Sequence, residues 1–260
     1  PLARKYPWNQ LPADMARIPQ ANVLMQTEFR VRECGFYDSQ REISFVGNFH
    51  KPLRLERQFS LKPYAIGLTP VTNAQFAEFL AATHYQPRHK ENFLKHWQNG
   101  RPPAGKEEHP VVYVSLEDAR VYAAWKGLRL PTEAEWQYAA LGPAGANFPW
   151  GWNAEPRQGF CNDGATGDTT PVKAFPKGRS SFGCYDMIGN TWEWTESEYA
   201  DERNRFAILK GGSYYNVLPH CEWYFEGGPQ HAEFAGKMLL TWPGLDRCAT
   251  LGFRCAAELE

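Results

Sequence analysis

Beyond residue 141 the sequence is punctuated by Gly, Asn, Asp and Pro, most densely through 142–190, so no long regular element fits there. Only short strands are expected in that half, at Ile208–Lys210 and Gly252–Ala256. A coil-rich half must still pair its backbone N–H and C=O groups. Bound cations are one common way to hold such loops. The chain is therefore expected to be an α+β fold with helices early and little regular structure late.

The first half carries the helix signals. Thr72 can cap a helix whose apolar face is Phe76, Phe79 and Leu80, ending near Thr83-His84-Tyr85. Ser115 with Asp118 forms a capping box before a helix burying Ala119, Tyr122 and Trp125 and stopping at Gly127. Thr132 with Glu135, after Pro131, forms another before Trp136 and Tyr138. Met15–Pro19 with Asn22–Met25, Phe59–Tyr64 and Val111–Val114 read as strands. Residues 34–58 read as a polar surface excursion, and 86–110 as loop with at most a short helix at Asn92–Trp97.

Charge and composition exclude several partner classes. With 28 basic against 29 acidic residues there is no electrostatic case for nucleic acid or an anionic membrane. No segment approaches the ~20 apolar residues of a membrane span. No linker-like tract appears, so residues 1–260 read as one domain with a core at about 15–257. The six cysteines form no CxxC pair, which argues against structural zinc and leaves their pairing open. The start at Pro1 fits removal of an export signal, hence a periplasmic or secreted protein, with a cytoplasmic one not excluded.

Seven phrases then occur in order: Thr72–Phe79 (TNAQFAEF), His109–Ala119 (HPVVYVSLEDA), Gly127–Trp136 (GLRLPTEAEW), Phe148–Gly151 (FPWG), Asp186–Trp194 (DMIGNTWEW), Leu209–Tyr214 (LKGGSY) and Leu251–Cys255 (LGFRC). Together they resemble the formylglycine-generating-enzyme, or sulfatase-modifying-factor, superfamily across nearly the whole chain. The resemblance implies a C-type-lectin-like fold low in regular structure. Its members include copper oxidases that convert peptidyl cysteine to formylglycine, iron-dependent sulfoxide-forming enzymes, a periplasmic branch that matures the siderophore pyoverdine, and binding modules.

The resemblance also implies metal sites. Asp186, Gly189, Thr191 and Glu193, at i, i+3, i+5 and i+7, match a structural Ca2+ loop, the acids by side chain and the others by carbonyl. The plain alternative is that Asp186 and Glu193 cap turns or pair with Arg. Asn162, with Asp163 or Asp168 out of register, is the candidate for a second Ca2+.

At the catalytic position the copper oxidases carry two cysteines five apart, two soft thiolates that bind Cu(I). Here Asn216 stands at the first and Cys221 at the second, after Ser213, with His220 and His231 as conceivable substitutes. High-affinity linear Cu(I) binding should be lost, and a redox metal, Cu or Fe, is left open. Cys221 can equally be a buried thiol or disulfide half, and the histidines ordinary polar residues. Two family cysteine positions appear as Ala123 and Ala140, while Cys255 is kept.

The groove is expected to involve Trp192, Ser213 and Tyr214, joined by Trp223, Tyr224, Glu226 and Trp242 of an insert at 222–249. Core packing is the alternative for each aromatic. The function implied is an oxidase-type maturation factor acting on a peptide-like substrate, as monomer or homodimer. The competing reading is a non-catalytic peptide- or glycan-binding module.

Overall fold

The computed structural model describes residues 5–30, 32–33, 36–37, 52–152, 159–200, 204–216, 227–240, 244 and 246–260. In chain order the strands are β1 (Lys5–Tyr6), β2 (Met15–Ile18), β3 (Ala21–Arg30), β4 (Arg32–Glu33), β5 (Phe36–Tyr37), β6 (Pro52–Leu61) and β7 (Tyr64–Gly67). Helices α1 (Asn73–Thr83), α2 (Leu116–Trp125) and α3 (Glu133–Leu141) follow. The chain closes with β8 (Trp192–Ala200), β9 (Arg205–Lys210), β10 (Gly236–Leu239), β11 (Leu251–Phe253) and β12 (Ala256–Leu259). One four-stranded sheet runs β1-β12-β7-β2 and another β10-β9-β8-β11, while β3 and β6 form a ten-residue antiparallel ladder.

All three helices begin on reciprocal capping boxes, at Thr72 with Gln75, Ser115 with Asp118 and Thr132 with Glu135. Each box satisfies two of the N–H groups that a helix start leaves unpaired. Helix α1 stops where His84 turns left-handed at φ 53° and donates its N–H to Leu80. Helix α3 has no apolar stripe because eight of its nine residues are buried, from Glu133 to Ala140. It is covered on several sides, by β6, β8 and β9.

The main core is aromatic. Phe76 stacks on Tyr122 at 5.6 Å between centroids, and Phe79 and Phe253 meet Tyr122 edge-on at 5.5 and 5.3 Å. Full burial of each ring contributes about 1.5–3 kcal/mol. Gly252 lets β11 approach Val111, whose carbonyl would lie 2.6 Å from a Cβ there.

Several expectations need correction. Residues 52–58 belong to β6 rather than to a surface excursion, and Phe59–Tyr64 divides between β6 and β7 at Lys62-Pro63. Val111–Val114 is buried but is no strand: Val111 N–H donates to Val71, while Tyr113, at φ 59°, donates to Cys248. Its amides are paired one by one with different segments, so no ladder forms. Residues 91–96 form turns, with Asn92 and Leu94 at positive φ, in place of a short helix. Trp125 is 36% exposed, on the outer side of α2. Gly252–Ala256 is two strands broken at Arg254-Cys255, and β8 and β10 were not anticipated. Strand β10, pairing with β9, comes from the insert at 222–249.

Arg254 breaks that last strand and is wholly buried. Its Nε donates to Glu193 Oε2 at 2.6 Å and a terminal nitrogen to Glu193 Oε1 at 2.6 Å. The remaining donors reach the carbonyls of Gly67 (3.1 Å) and Tyr185 (2.8 Å). Trp136 Nε1 adds a third hydrogen bond to the Glu193 carboxylate at 2.8 Å. Removing one partner of such a pair strands a buried charge. Arg254→Met is expected to lower unfolding free energy by about 3–5 kcal/mol, read from urea midpoints. The double variant Arg254→Met/Glu193→Gln should recover part of that loss.

Candidate functional site

Three loops of the coil-rich half meet through side-chain amides. Asn190 is fully buried at φ 61°, a left-handed geometry that Asn tolerates better than most residues. Its Oδ1 accepts from Thr170 N (3.0 Å) and Asn162 Nδ2 (3.2 Å), and its Nδ2 donates to the Thr170 carbonyl (3.1 Å). Its own carbonyl accepts from Tyr214 N–H at 3.0 Å. Asn190 thus joins the 162–170 loop, the 186–193 loop and the Gly-Gly-Ser-Tyr segment. Sequence reasoning passed over it, though a Gly-Asn pair inside a turn-rich stretch was the available signal.

In the 186–193 loop, Asp186 is buried at φ 53° and its Oδ2 has no hydrogen-bond partner. Burial pushes its carboxyl up to about 8, against the lowering effects of Arg254 and Asn190 and with Glu193 adding to the rise. An orphaned buried carboxylate oxygen of this kind suits a hard divalent cation. The residues present therefore fit Ca2+ at Asp186, with the carbonyls of Gly189 and Thr191 available by position in the loop. Glu193 is different: Arg254 and Trp136 already occupy both of its oxygens. Arg254 is the partner that sequence reasoning did not assign.

The 162–170 loop has another character. Asn162 Nδ2 donates to the Asp168 carbonyl (2.9 Å) as well as to Asn190, and its Oδ1 accepts from Gly164 N–H (3.2 Å). Asp163 Oδ1 accepts from Ala165 N–H at 3.2 Å, and Asp168 is ion-paired with Lys106.

Asn216, which the resemblance sets at the first copper-cysteine position, is exposed and lies in a slot between two glycines. Its Nδ2 donates to the Asp163 carbonyl at 2.8 Å. Gly164 and Gly228 flank it so closely that a Cβ on either would sit 2.4 Å from the amide, on its Nδ2 and its Oδ1 respectively. Ser213 is 2% exposed, donating its N–H to the Gly228 carbonyl (3.1 Å) and accepting from Tyr215 N–H (3.3 Å). Trp192 is also buried, its ring 6.1 Å from Phe234, so it packs as core more than as an open groove wall. His231 is exposed and its ring packs 5.1 Å from Phe148. His220, Cys221, Trp223, Tyr224, Glu226 and Trp242 lie outside the described residues.

Beside Tyr214 the structure assembles half-buried side chains that the sequence did not group. Burial first, then the charge of Asp168, raises the Tyr214 phenol to about 12. Tyr113 and Cys248 add to that rise, and Cys248 Sγ lies 3.4 Å from Thr250 Oγ1. The His96 ring sits 5.3 Å from that of Tyr113 with neither nitrogen hydrogen-bonded. Burial, then Lys106, lowers His96 to about 4, opposed by Asp168. Near neutral pH the Tyr214 phenol and the His96 imidazole are both uncharged. Their donors and acceptors suit neutral polar groups such as amides.

Among the described residues no group of three or more His, Cys, Asp or Glu could hold a metal. Cys184, Cys248 and Cys255 are free thiols, so Cys248 does not pair with Cys255. Cys255 shares a core cluster with Ala123, and Cys184 another with Ala140, the two positions where the resemblance implies cysteine. No helix among the described residues is long and apolar enough to cross a membrane.

Comparison with known proteins matches this geometry. The Sulfatase-modifying factor enzyme 1-like domain matches residues 3–259. Inactive C-alpha-formylglycine-generating enzyme 2 of Mus musculus is 34% identical over 248 residues, covering 78% of this chain and 77% of that protein. Formylglycine-generating enzyme of Mycobacterium tuberculosis is 31% identical over 310 residues, covering 88% and 95%. The solved structure of PvdO from Pseudomonas aeruginosa superposes with a TM-score of 0.65 at 22% identity, covering 98% of this chain and all of that one, and it shows the shared fold.

Two outcomes are expected. Ca2+ should raise the thermal midpoint of chelator-treated protein, and Asp186→Ala should abolish that rise while Asp186→Asn, which keeps an oxygen, retains most of it. His96 protonates in the unfolded chain near its ordinary value of 6.5 and in the folded chain only near 4. Stability present above 6.5 is therefore lost as pH falls through that window, because the unfolded state binds the proton first. His96→Phe should flatten the fall, as followed by thermal melts between pH 7 and 4.

Proposed function

The chain belongs to the sulfatase-modifying-factor, or formylglycine-generating-enzyme-like, family, and on that footing we propose that it engages a peptide-like substrate without a two-sulfur copper centre. The observation that carries this reading is the Asn216 slot. A thiolate would be needed there for linear Cu(I) coordination, and a neutral carboxamide cannot replace it. The amide instead donates to the Asp163 carbonyl, close beside Gly164 and Gly228. The paired-thiolate centre does not fit these residues.

What remains suits recognition of a peptide. Tyr214 keeps its proton near neutral pH and so presents an O–H donor, and His96 stays a neutral imidazole with one donor and one acceptor nitrogen. Peptide amides offer the complementary pair. The reading is of an oxidase-type maturation factor, exported to the periplasm or secreted, with any redox metal, Cu or Fe, held by ligands other than a 216–221 thiolate pair. Maturation of a peptide siderophore of the pyoverdine type is the substrate class to try first.

A second reading, a non-catalytic peptide- or glycan-binding module, is favoured by the likeness to a relative described as inactive. Oxygen uptake with candidate peptides after Cu or Fe loading separates the two. Turnover supports the first, and saturable calorimetric binding without turnover, unchanged in Cys221→Ser, supports the second.

The copper argument is tested directly. Wild-type protein is expected neither to hold one tight Cu(I) per chain nor to convert a Cys-x-Pro-x-Arg peptide to its aldehyde. Asn216→Cys should gain one Cu(I) per chain in a chelator competition. A wild-type protein that performs the conversion would sink the proposal.

A further inference from the structure

The family resemblance implies two calcium ions, yet the 162–170 loop is closed by groups of the chain itself. Three observations bear on this. First, Asp168, one of the two acids on either side of the expected ligand place, pairs one carboxylate oxygen with Lys106 Nζ and accepts Thr169 N–H on the other at 2.7 Å. Second, Asn162 turns its NH2 group inward, to the Asp168 carbonyl at 2.9 Å and Asn190 Oδ1 at 3.2 Å, while its oxygen accepts from Gly164 N–H. The opposite amide orientation would set oxygen against oxygen, so the network fixes this one. Third, Asp163 Oδ1 is held on Ala165 N–H. A divalent cation needs oxygens that converge with free lone pairs. Here the centre of the loop already holds N–H donors.

Lys106 is not a free surface lysine. Its carbonyl accepts from Asn73 Nδ2 (2.9 Å) at the start of α1 and from His109 N–H (3.1 Å). Two further contacts tie its segment to the loop: Val172 N–H donates to the Glu108 carbonyl at 3.0 Å, and His109 Nδ1 meets Thr169 Oγ1 at 2.9 Å. The ammonium is thus delivered to Asp168 by a backbone fixed on both sides.

We propose that Lys106 replaces the second calcium of the family, so that the 162–170 loop is held by a built-in cation and needs no metal. The inference rests on family membership and the loop geometry, and stands whether or not the chain is an enzyme. The positive end of the pair neutralises Asp168. The amide of Asn162 fills the remaining electropositive role by donating to two oxygens at once.

Calcium counting by equilibrium dialysis and hydrogen exchange over 162–170 test it. In the wild-type background Asp168→Asn is expected to leave the number of bound Ca2+ per chain unchanged. Loss of one ion would overturn the proposal. Lys106→Met is expected either to gain one Ca2+ per chain, because Asp168 is released, or to speed exchange of the loop roughly twofold to fivefold, the worth of a half-exposed ion pair. Lys106→Arg should restore wild-type behaviour in both readouts. A Lys106→Met protein matching wild type in both calcium count and exchange would also overturn it. Should Asp186 prove to bind no calcium, the exchange comparison still reads the role of Lys106 alone.

Discussion

The fold is organised around the buried ion pair of Arg254 with Glu193. Both side chains are fully enclosed, so their desolvation is offset only because every donor and oxygen is used. Glu193 lies in β8, Arg254 joins β11 to β12, Gly67 closes β7, and Tyr185 and Asp186 stand at the start of the 186–193 loop. One guanidinium therefore ties both four-stranded sheets to the loop between them. Trp136 brings α3 into the same knot. The planar fork of Arg is what makes this geometry work, since a Lys ammonium cannot give two parallel bonds to the carboxylate while serving carbonyls behind it.

This dependence explains what was legible in the sequence. The three helices were readable because their signals are local: Thr72, Ser115 and Thr132 cap with a partner three residues on, and the structure shows each box. The order of family phrases gave the C-type-lectin-like architecture for the same reason, as a string of local patterns. Long-range pairings were not readable. Val111–Val114 looks like a strand because it is apolar, but its amides are claimed by Val71 and Cys248, far away in sequence. Likewise β6 runs through a polar stretch whose pairing with β3 only the ladder reveals.

The candidate site was legible in its substitution and illegible in its consequence. Asn216 could be identified as standing in a thiolate position, but not as a staple wedged between Gly164 and Gly228. That distinction matters physically. An amide merely replacing a ligand leaves a hole, whereas an amide that donates to the Asp163 carbonyl ties its segment to the 162–170 loop. The groove residues behaved similarly: Trp192 and Ser213 are packed and buried, while Tyr113, His96 and Tyr214, two of them unnoticed in the sequence, form the half-buried polar wall.

The coil-rich half posed the question of how loops without ladders pair their polar groups, and the structure answers with nitrogen as often as with room for a metal. Arg254 gathers carbonyls around Glu193, Asn190 and Asn162 bridge three loops with their amides, and Lys106 neutralises Asp168. Asp186 is the exception, with a buried oxygen that no nitrogen reaches. A guanidinium, an amide and an ammonium all present positive edges to oxygen, as a cation does, but they are fixed by the sequence and cannot dissociate. Each loop so closed is independent of metal supply, at the cost of demanding one particular residue at one particular place. Calcium dependence in this chain should therefore concentrate at Asp186, whose Oδ2 is buried without a hydrogen-bond donor.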